Sequence, residues 1–441
     1  MAKNIIKVNH ADAVTLVKRI SILSEGSLYL SCGKDKEEHL FLQAEVAIKD
    51  ETKQMRDAVP VSLGGKDAET IDCVVKASEF VAMANEVLSF DKEEDLVLEQ
   101  VTGKLILKNK QVKLDIHLIE ESVELKSVSN ETVLMAQIYN ADLSYLLKDI
   151  CKFYDPDGNQ KSELKNMEFI FSGKSLSVSG TTGYVFGYDR VNAAVKPGAM
   201  WKDAADAYKQ KHPDEDAVVI AVPGVFTGFL ASALATSSME KVVMIIDDKY
   251  MHLRIDNMAM ASIRLTDKCQ DMSVFKQKFA EEPEQAFAVD KAVFESAVKM
   301  LDRKLSLEKA VGAGVPLHLA QKGKNLVIEV CDNKVEVPVV EGCVDDLDIY
   351  VLPKLLMDIM NPVKAGNMLI RVVPHLKAHV FVCGNGSIAD GFSDGSAKTL
   401  AQCFLNNLAE QAQARFAAGK SVEEKKKEKK AEKKSGDEET A

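Results

Sequence analysis

Aromatic residues are scarce in this chain. They make up 6% of its 441 residues, with a single tryptophan. That leaves little material for platforms on which unpaired bases stack. Nowhere do about 18 apolar residues run together without charge, so no segment reads as a membrane-spanning helix. The opening MAKNIIKVNHADAV has no apolar core of the kind a secretory signal needs. The eight cysteines lie scattered, with no CxxC and no pairing rhythm. They read as reduced thiols of a cytoplasmic protein. An excess of base is also missing. The net charge of −11 excludes a protein coated in basic patches, though not a local basic surface. Contact with DNA is then expected at phosphates and not at bases.

Catalytic signatures are absent as well. The stretch SGKS (172–175) echoes the end of a phosphate-binding loop, but Glu168 stands where that loop needs glycine. DPDGNQ (155–160) echoes the start of a calcium loop, yet its twelfth position is Asn166 and not glutamate. His375 and His379 are four apart, but Pro374 and the alternation of HVFV argue against a helical metal pair. There is no zinc spacing of Cys and His. The reading is a protein without metal, cofactor or catalytic residues.

What the chain does have is repetition. Six segments share an apolar strand, a turn and an amphipathic helix. They are IIKVNHADAVTLVKRI from Ile5, CVVKASEFVAMANEVL from Cys73, AQIYNADLSYLLKDIC from Ala136, VIAVPGVFTGFLASAL from Val219, FAVDKAVFESAVKML from Phe287 and DIYVLPKLLMDIM from Asp348. They recur at roughly 60 to 85 residues. Helical spacing puts Phe80, Met83, Ala84, Val87 and Leu88 on one stripe. It does the same for Leu143, Leu146, Leu147 and Ile150, and for Val293, Phe294, Ala297, Val298 and Leu301. Alternating runs follow the helices, with turns at glycine or Asp/Asn pairs. Each unit is therefore strand–helix–strand–strand–strand, and one such unit alone is marginal. Paired through their helices, six units make an α+β protein of three tandem domains. Polar stretches at 121–133 and 267–285 read as linkers between pairs. The expected domains are 1–128, 129–270 and 271–395, and the segment 196–217 reads as an insertion bearing an extra helix. Beyond 395, Ser396 reads as a helix cap, Leu400, Phe404, Leu408 and Ala412 as one apolar face, and Gly419 as a stop. The end, SVEEKKKEKKAEKKSGDEETA, reads as a disordered tail of mixed charge.

The repeat number, its order and the segment LSVSGTTGYVFGYDRV (176–191) resemble the bacterial-type DNA sliding clamp, the β subunit of the replicative DNA polymerase. That family has a Thr-Asp-Gly-His-Arg-like turn after an apolar strand; here the turn is Thr181-Thr182-Gly183-Tyr184-Val185. The loss of its acid and base marks a divergent member, of the sort a phage or a remote lineage carries. The helix expected after 396 also departs from the family pattern.

The resemblance implies a DNA-clamp fold and a homodimeric ring that encircles double-stranded DNA without sequence preference. Such a ring acts as a processivity factor in DNA replication. It tethers a DNA polymerase and is opened by a clamp loader ATPase. Bases on the helices are then expected to face DNA: Lys18, Arg19, Lys148, Lys152, Lys291, Lys299, Arg303 and Lys304, with Lys354 on the sixth helix and no base on the fourth. The family takes partner peptides in a cleft. By position, its walls here are Leu164, Thr181, Gly183, Tyr184 and Phe186, with Ile263, Leu265 and Ile388 opposite. Strand alternation puts Tyr184 and Phe186 on one face, so both line the cleft or neither does. The helix carrying Phe404 and Leu408 is placed to gate that cleft. Met300 and Leu301 are expected at the subunit interface. Two other classes stay open: a structural scaffold that reuses the fold without encircling DNA, and an enzyme with a scattered site.

Overall fold

The computed structural model describes residues 3–425, apart from 49, 51, 66–67, 124, 158–160, 211, 214, 308–313, 343–346, 365, 376–377, 389–390, 393–397, 406–413 and 420–423. Among them the six repeats follow one order. The first is β1 (Lys3–Val8), α1 (His10–Ser21), β2 (Ser27–Lys34), β3 (Leu40–Ala47) and β4 (Lys53–Leu63), followed by the short β5 (Ala68–Glu69). The second is β6 (Asp72–Lys76), α2 (Ala77–Phe90), β7 (Leu96–Val101), β8 (Lys104–Lys108) and β9 (Lys113–His117). The third is β10 (Thr132–Tyr139), α3 (Asn140–Tyr145), β11 (Asn166–Ser172), β12 (Ser175–Thr181) and β13 (Val185–Pro197). An added helix, α4 (Trp201–Lys209), lies in the 196–217 segment. The fourth is β14 (Ala217–Pro223), α5 (Gly224–Leu234), β15 (Lys241–Asp247), β16 (Tyr250–Arg254) and β17 (Met260–Arg264). A further helix, α6 (Ser273–Ala280), occupies the 267–285 segment read as a linker. The fifth is β18 (Gln285–Asp290), α7 (Lys291–Leu307), β19 (Leu317–Lys322), β20 (Asn325–Val330) and β21 (Asn333–Gly342). The sixth is β22 (Asp348–Val351), α8 (Pro353–Met360), β23 (Asn367–His375) and β24 (Ala378–Gly384). It ends, after the short β25 (Gly386–Ser387) and β26 (Gly391–Phe392), in β27 (Lys398–Leu405).

Local chemistry explains the helix starts. Asn9 caps α1 by accepting the Ala11 N–H at 3.0 Å. Pro353 opens α8, where its missing N–H costs nothing. The stripes on α2, α3 and α7 are buried at Phe80, Ala84, Val87, Leu88, Leu143, Leu146, Leu147, Ile150, Phe294, Ala297, Val298 and Leu301. After α3 the backbone widens into a π turn over Leu146–Ile150, which keeps those leucines inward while Lys148 points out.

The chain divides into two compact units. One comprises Met1–Lys148, Phe169–Leu176 and Val191–Lys268; the other comprises Asp149–Glu168, Ser177–Arg190 and Cys269–Ala441. In the first unit a continuous antiparallel sheet runs β6–β2–β3–β4–β17–β16–β15–β10–β13, the last through Ala193–Pro197. β4 bends, so Val61–Leu63 pair instead with β1 in a second sheet that continues β7–β8–β9. In the second unit the larger sheet runs β21–β18–β23–β24–β27–β13, the last through Val185–Tyr188. The smaller sheet runs β21–β20–β19–β22. β21 bends as β4 does, pairing through Asn333–Pro338 with β20 and from Val339 with β18.

Two expectations are corrected here. Lys398–Leu405 is a strand and not a helix, so the sixth repeat closes beyond 395. The leucine and phenylalanine spacing fits both periods, and the open edge between β24 and β13 decides for the strand. Among the described residues beyond 405, helical backbone occurs at 414–419 and 424–425. Leu408, Ala412 and the tail from 426 lie outside the described residues. No helix among the described residues is long and apolar enough to cross a membrane. Cys32, Cys73, Cys151 and Cys269 are free thiols, and burial pushes those of Cys73 and Cys269 up to about 12.

A polar row is buried inside the first sheet. His252, Ser262 and Gln54 sit side by side on β16, β17 and β4. The His252 ring reaches Ser262 Oγ at 2.8 Å through Nδ1 and Asp247 Oδ2 at 3.1 Å through Nε2. The connector between repeats two and three is tied to the same row. Its Lys126 N–H donates to Gln54 at 3.0 Å, and its Ser129 N–H donates to Asp247 at 3.4 Å. Ser262 is 3% exposed and His252 fully enclosed, so this Ser–His–Asp chain is a clasp that no substrate reaches.

Burial holds the His252 ring below its ordinary value, against the pull of Asp247. Burial works the other way on Asp247, but the Lys249 and Tyr250 amides and His252 outweigh it and hold that carboxyl low. A depressed histidine stabilises the fold above its unfolded value of about 6.5, and the contribution is lost as pH falls because the unfolded chain takes the proton first. The urea midpoint should therefore drop from about pH 7 to about pH 5, and His252→Gln should flatten that drop. Equal slopes in the two proteins would show that His252 does not drive it.

Candidate functional site

The helix bases divide into those that reach solvent and those committed inside. Lys18, Lys148, Lys152, Lys299, Arg303 and Lys304 are exposed. Lys152 lies 3.6 Å from Asp149, and Lys299 pairs with Glu295. Two expected DNA-facing residues are withdrawn. Arg19 is 5% exposed and grips both oxygens of Asp57, at 3.0 and 3.1 Å. Its other terminal nitrogen donates to Asp256 Oδ2 at 2.8 Å and toward the Thr236 carbonyl at 3.5 Å. Burial pushes the Asp57 carboxyl up, against the pull of Arg19. Asp256 is more exposed; burial opposes, but the Arg19 hydrogen bond holds its carboxyl low. Lys291 is half-buried and donates to the Val363 carbonyl. The six repeat helices carry as many acids as bases, so the expected moderately basic helix face is corrected to a balanced one.

The turn after β12 is closed by its own hydroxyls. Thr181 Oγ1 donates to the Val185 carbonyl at 2.8 Å and accepts the Gly183 N–H at 3.0 Å. Thr182 Oγ1 accepts the Val185 N–H at 3.2 Å. Gly183 sits at φ +89°, where a Cβ would be strained. Thr181 and Leu164 are buried; Tyr184 is 60% exposed.

Phe186 is fully buried. Tyr184 and Phe186 thus part company, which corrects the expectation that they share a face. Tyr184 belongs to the turn, and strand alternation starts only at Val185. From there Val185 points to one side, among Phe287, Phe294 and Phe381, while Phe186 points to the other, beside Val373, Val380 and Val382. Gly187 lets the first side close up, since a Cβ there would lie 1.8 Å from the Phe153 ring.

Helix α6 covers the Phe186 side. Phe275 stacks on Phe186 with ring centres 5.2 Å apart and planes within 10°. Phe279 lies 5.9 Å from Phe186 and 5.8 Å from Tyr188. Lys276 passes over the Tyr188 ring and pairs with the buried Glu168, which also accepts from Ser179 Oγ at 2.6 Å. Arg371 donates to the Phe279 and Glu281 carbonyls at the helix end, each at 2.9 Å. Sequence reading missed this helix, although Met272, Phe275 and Phe279 already stood at helical spacing.

The remaining expected wall residues are divided between the two units. Ile263 is buried in β17 and Leu265 half-buried just after it, both in the first unit. Ile388 is half-buried, its N–H on Glu341 and its side chain against Gly342. The final strand is β27 and not the stretch at Ile388. Of the interface pair, Met300 is 56% exposed, but Leu301 belongs to the core, because Leu301 lies on the α7 stripe and Met300 lies off it. No group of three or more His, Cys, Asp or Glu side chains among the described residues is arranged to hold a metal. What the arrangement offers is an apolar strip with one buried carboxylate, covered by an aromatic-bearing helix of the same chain.

Three substitutions separate these roles. Phe186→Ala should cost about 3–5 kcal/mol of stability by urea denaturation. Arg19→Ala should cost about 3–5 kcal/mol, because Asp57 stays buried without its cation. Tyr184→Ala should stay within about 0.5 kcal/mol of wild type. A large loss in the last would mean that Tyr184 packs against the body.

No protein-family model matches the chain. No curated protein matches it. Among solved structures it is similar to the Helicobacter pylori beta clamp bound to a DNA ligase peptide, at 13% identity and TM-score 0.67, over 91% of this chain and 99% of that one. It is similar to the DNA polymerase III beta subunit of Thermotoga maritima at 11% identity and TM-score 0.68, over 91% and 99%. The DNA polymerase sliding clamp of Bacillus subtilis matches at 12% identity and TM-score 0.70, over 92% and 99%.

Proposed function

We propose that this divergent protein, α+β with the beta-clamp fold along nearly its whole length, is a DNA sliding clamp. It encircles double-stranded DNA as a homodimeric ring of three-domain chains and tethers a polymerase and other partners, with no catalysis of its own. Its free buried thiols fit a cytoplasmic protein.

The observation that carries the reading is a pairing rule among the last strands of the repeats. β4 of the first repeat pairs with β17 of the fourth, and β13 of the third pairs with β27 of the sixth. The same rule links the second repeat to the fifth, yet among the described pairings β9 bonds only to β8, and Lys334–Pro338 of β21 only to β20. Two edges of one kind are left over, and an open edge invites another strand. A second copy placed head to tail satisfies both at once, β9 of each chain on β21 of the other. A contact between two different patches that closes on itself makes a ring.

Exposed Met300 and Leu307 on α7 lie in the same repeat as β21. Light scattering at micromolar concentration should give two chains per particle, and Met300→Glu with Leu307→Glu should give one. A wild-type monomer at every salt concentration would count against the ring, and a trimer against the pairing rule. The balanced helix charge also favours a second reading, a scaffold that reuses the fold without encircling DNA. Retention decides between them. A loaded ring stays on circular DNA and leaves linear DNA by its ends, while bare binding is weak and falls steeply with salt. Changing Lys148, Lys152, Lys299 and Arg303 to Glu should impair loading and leave folding intact. Equal loss from circles and linear DNA would favour the scaffold.

Partners fit the same frame. A clamp loader ATPase opens the ring, and the polymerase binds through a short peptide, as a ligase peptide does on the Helicobacter pylori clamp. The wall we assign to that peptide is the Tyr184 turn and the strip around Phe186.

A further inference from the structure

We propose that α6 is a displaceable occupant of the partner-peptide site, seated on the strip that partners use. The proposal rests on the clamp reading for the identity of the site, but it starts from three observations about the helix. First, α6 covers an apolar strip formed by Phe186, Val373, Val380 and Val382, with Tyr188 at its edge. This strip lies on the side of the larger sheet opposite the core, where Val185 and Phe381 point. Second, the hold is small. α6 has eight residues, none of them fully buried, and Val274 is 58% exposed; only Met272, just before the helix, is enclosed in the same cluster, and Arg371 holds the last carbonyls. A helix that short does not persist in water, so it exists because Phe275 and Phe279 are docked. Third, the site includes a charge that needs a partner. Glu168 is 6% exposed, and its cation is Lys276, from α6 itself.

The occupant therefore defines the ligand. It is a short segment with two aromatic or large aliphatic side chains one helical turn apart and a basic residue next to the first. A partner with these features takes the rings' places and neutralises Glu168, and α6 leaves with Lys276. A partner without a base strands a buried carboxylate, which discriminates against it. Weak partners are excluded because the chain's own segment is always at hand, at an effective concentration no free peptide matches.

The test uses the full chain and a labelled synthetic peptide of residues 271–284 as probe. If α6 is docked more than about nine tenths of the time, the probe's apparent affinity for wild type falls at least about tenfold. A full chain carrying Phe275→Ala and Phe279→Ala should then bind the probe at least about tenfold more tightly than wild type does. A probe with both phenylalanines replaced by alanine should bind neither protein, and one with Lys276 replaced by methionine should bind several-fold more weakly. Binding to neither protein, or equally to both, overturns the proposal. Hydrogen exchange of the wild type gives a reading that needs no variant. α6 amides should exchange many-fold faster than β24 amides, and matched rates overturn the proposal. Retention on circular DNA is measured on the same samples. Failed exchange with retention intact removes the α6 inference alone; lost retention with exchange intact removes the ring.

Discussion

The whole arrangement depends on what happens to the last strand of each repeat. A sheet edge presents a row of unsatisfied N–H and C=O groups, and in water that row must be paired, covered or blunted. Each strand–helix–strand–strand–strand unit ends in such an edge, so no unit is complete alone. β4 and β13 resolve the problem within the chain by bonding to β17 and β27. Both pairings join repeats three apart in sequence. That interval gives the leftover edges β9 and β21 their meaning, because they are three apart as well. The bend shared by β4 and β21 serves the same end, since it lets one strand finish one sheet and start the next.

Continuous sheets create a second problem, which is that they have two faces. The helices cover one. The other must be polar, or something must lie over it. In the first unit the connector between repeats two and three is tied down on Gln54 and Asp247. In the second unit α6 lies on Phe186. Within the smaller sheet His318 bridges Glu329 and Asp348, at 2.8 and 2.7 Å, and stacks on Tyr350. The ring of Phe416, from the turn at 414–419, meets both aromatics edge-on. Segments that read as connectors or tail in the sequence are therefore coverings.

The repeats themselves were legible because periodicity survives divergence. The Phe80 stripe of α2 and the Phe294 stripe of α7 need only apolar side chains at helical spacing, of whatever identity. What stayed hidden depends on partners far away in the chain. Arg19 looks like any lysine-flanked helix base until Asp57 and Asp256 arrive from 38 and 237 positions away. KTLAQCFL can be a helix or a strand, and the gap between β24 and β13 decides. Phe275 and Phe279 lay in a stretch rich in acids and amides, where polarity hid a two-residue apolar pattern. Tyr184 and Phe186 looked equivalent by alternation, and the turn at Gly183 separated them. In each case the deciding term is tertiary, so local propensity could not supply it.

Under the proposed clamp function, the balance of charge on the repeat helices is consistent with a task of topology. A protein that holds DNA by affinity needs many phosphate contacts, and each contact makes release more dependent on salt and movement along the duplex more costly. A closed ring needs none of them to stay on. α5 carries no charge at all, α2 carries only acids, and α7 pairs Lys299 with Glu295 on its own surface. Arg19, one of the two arginines among these bases, is instead spent on Asp57 and Asp256 inside the first unit. One arginine is thus committed to holding repeats together, and what remains on the helices is mixed in sign. For the proposed ring, such a surface suits passage along DNA better than a grip on it.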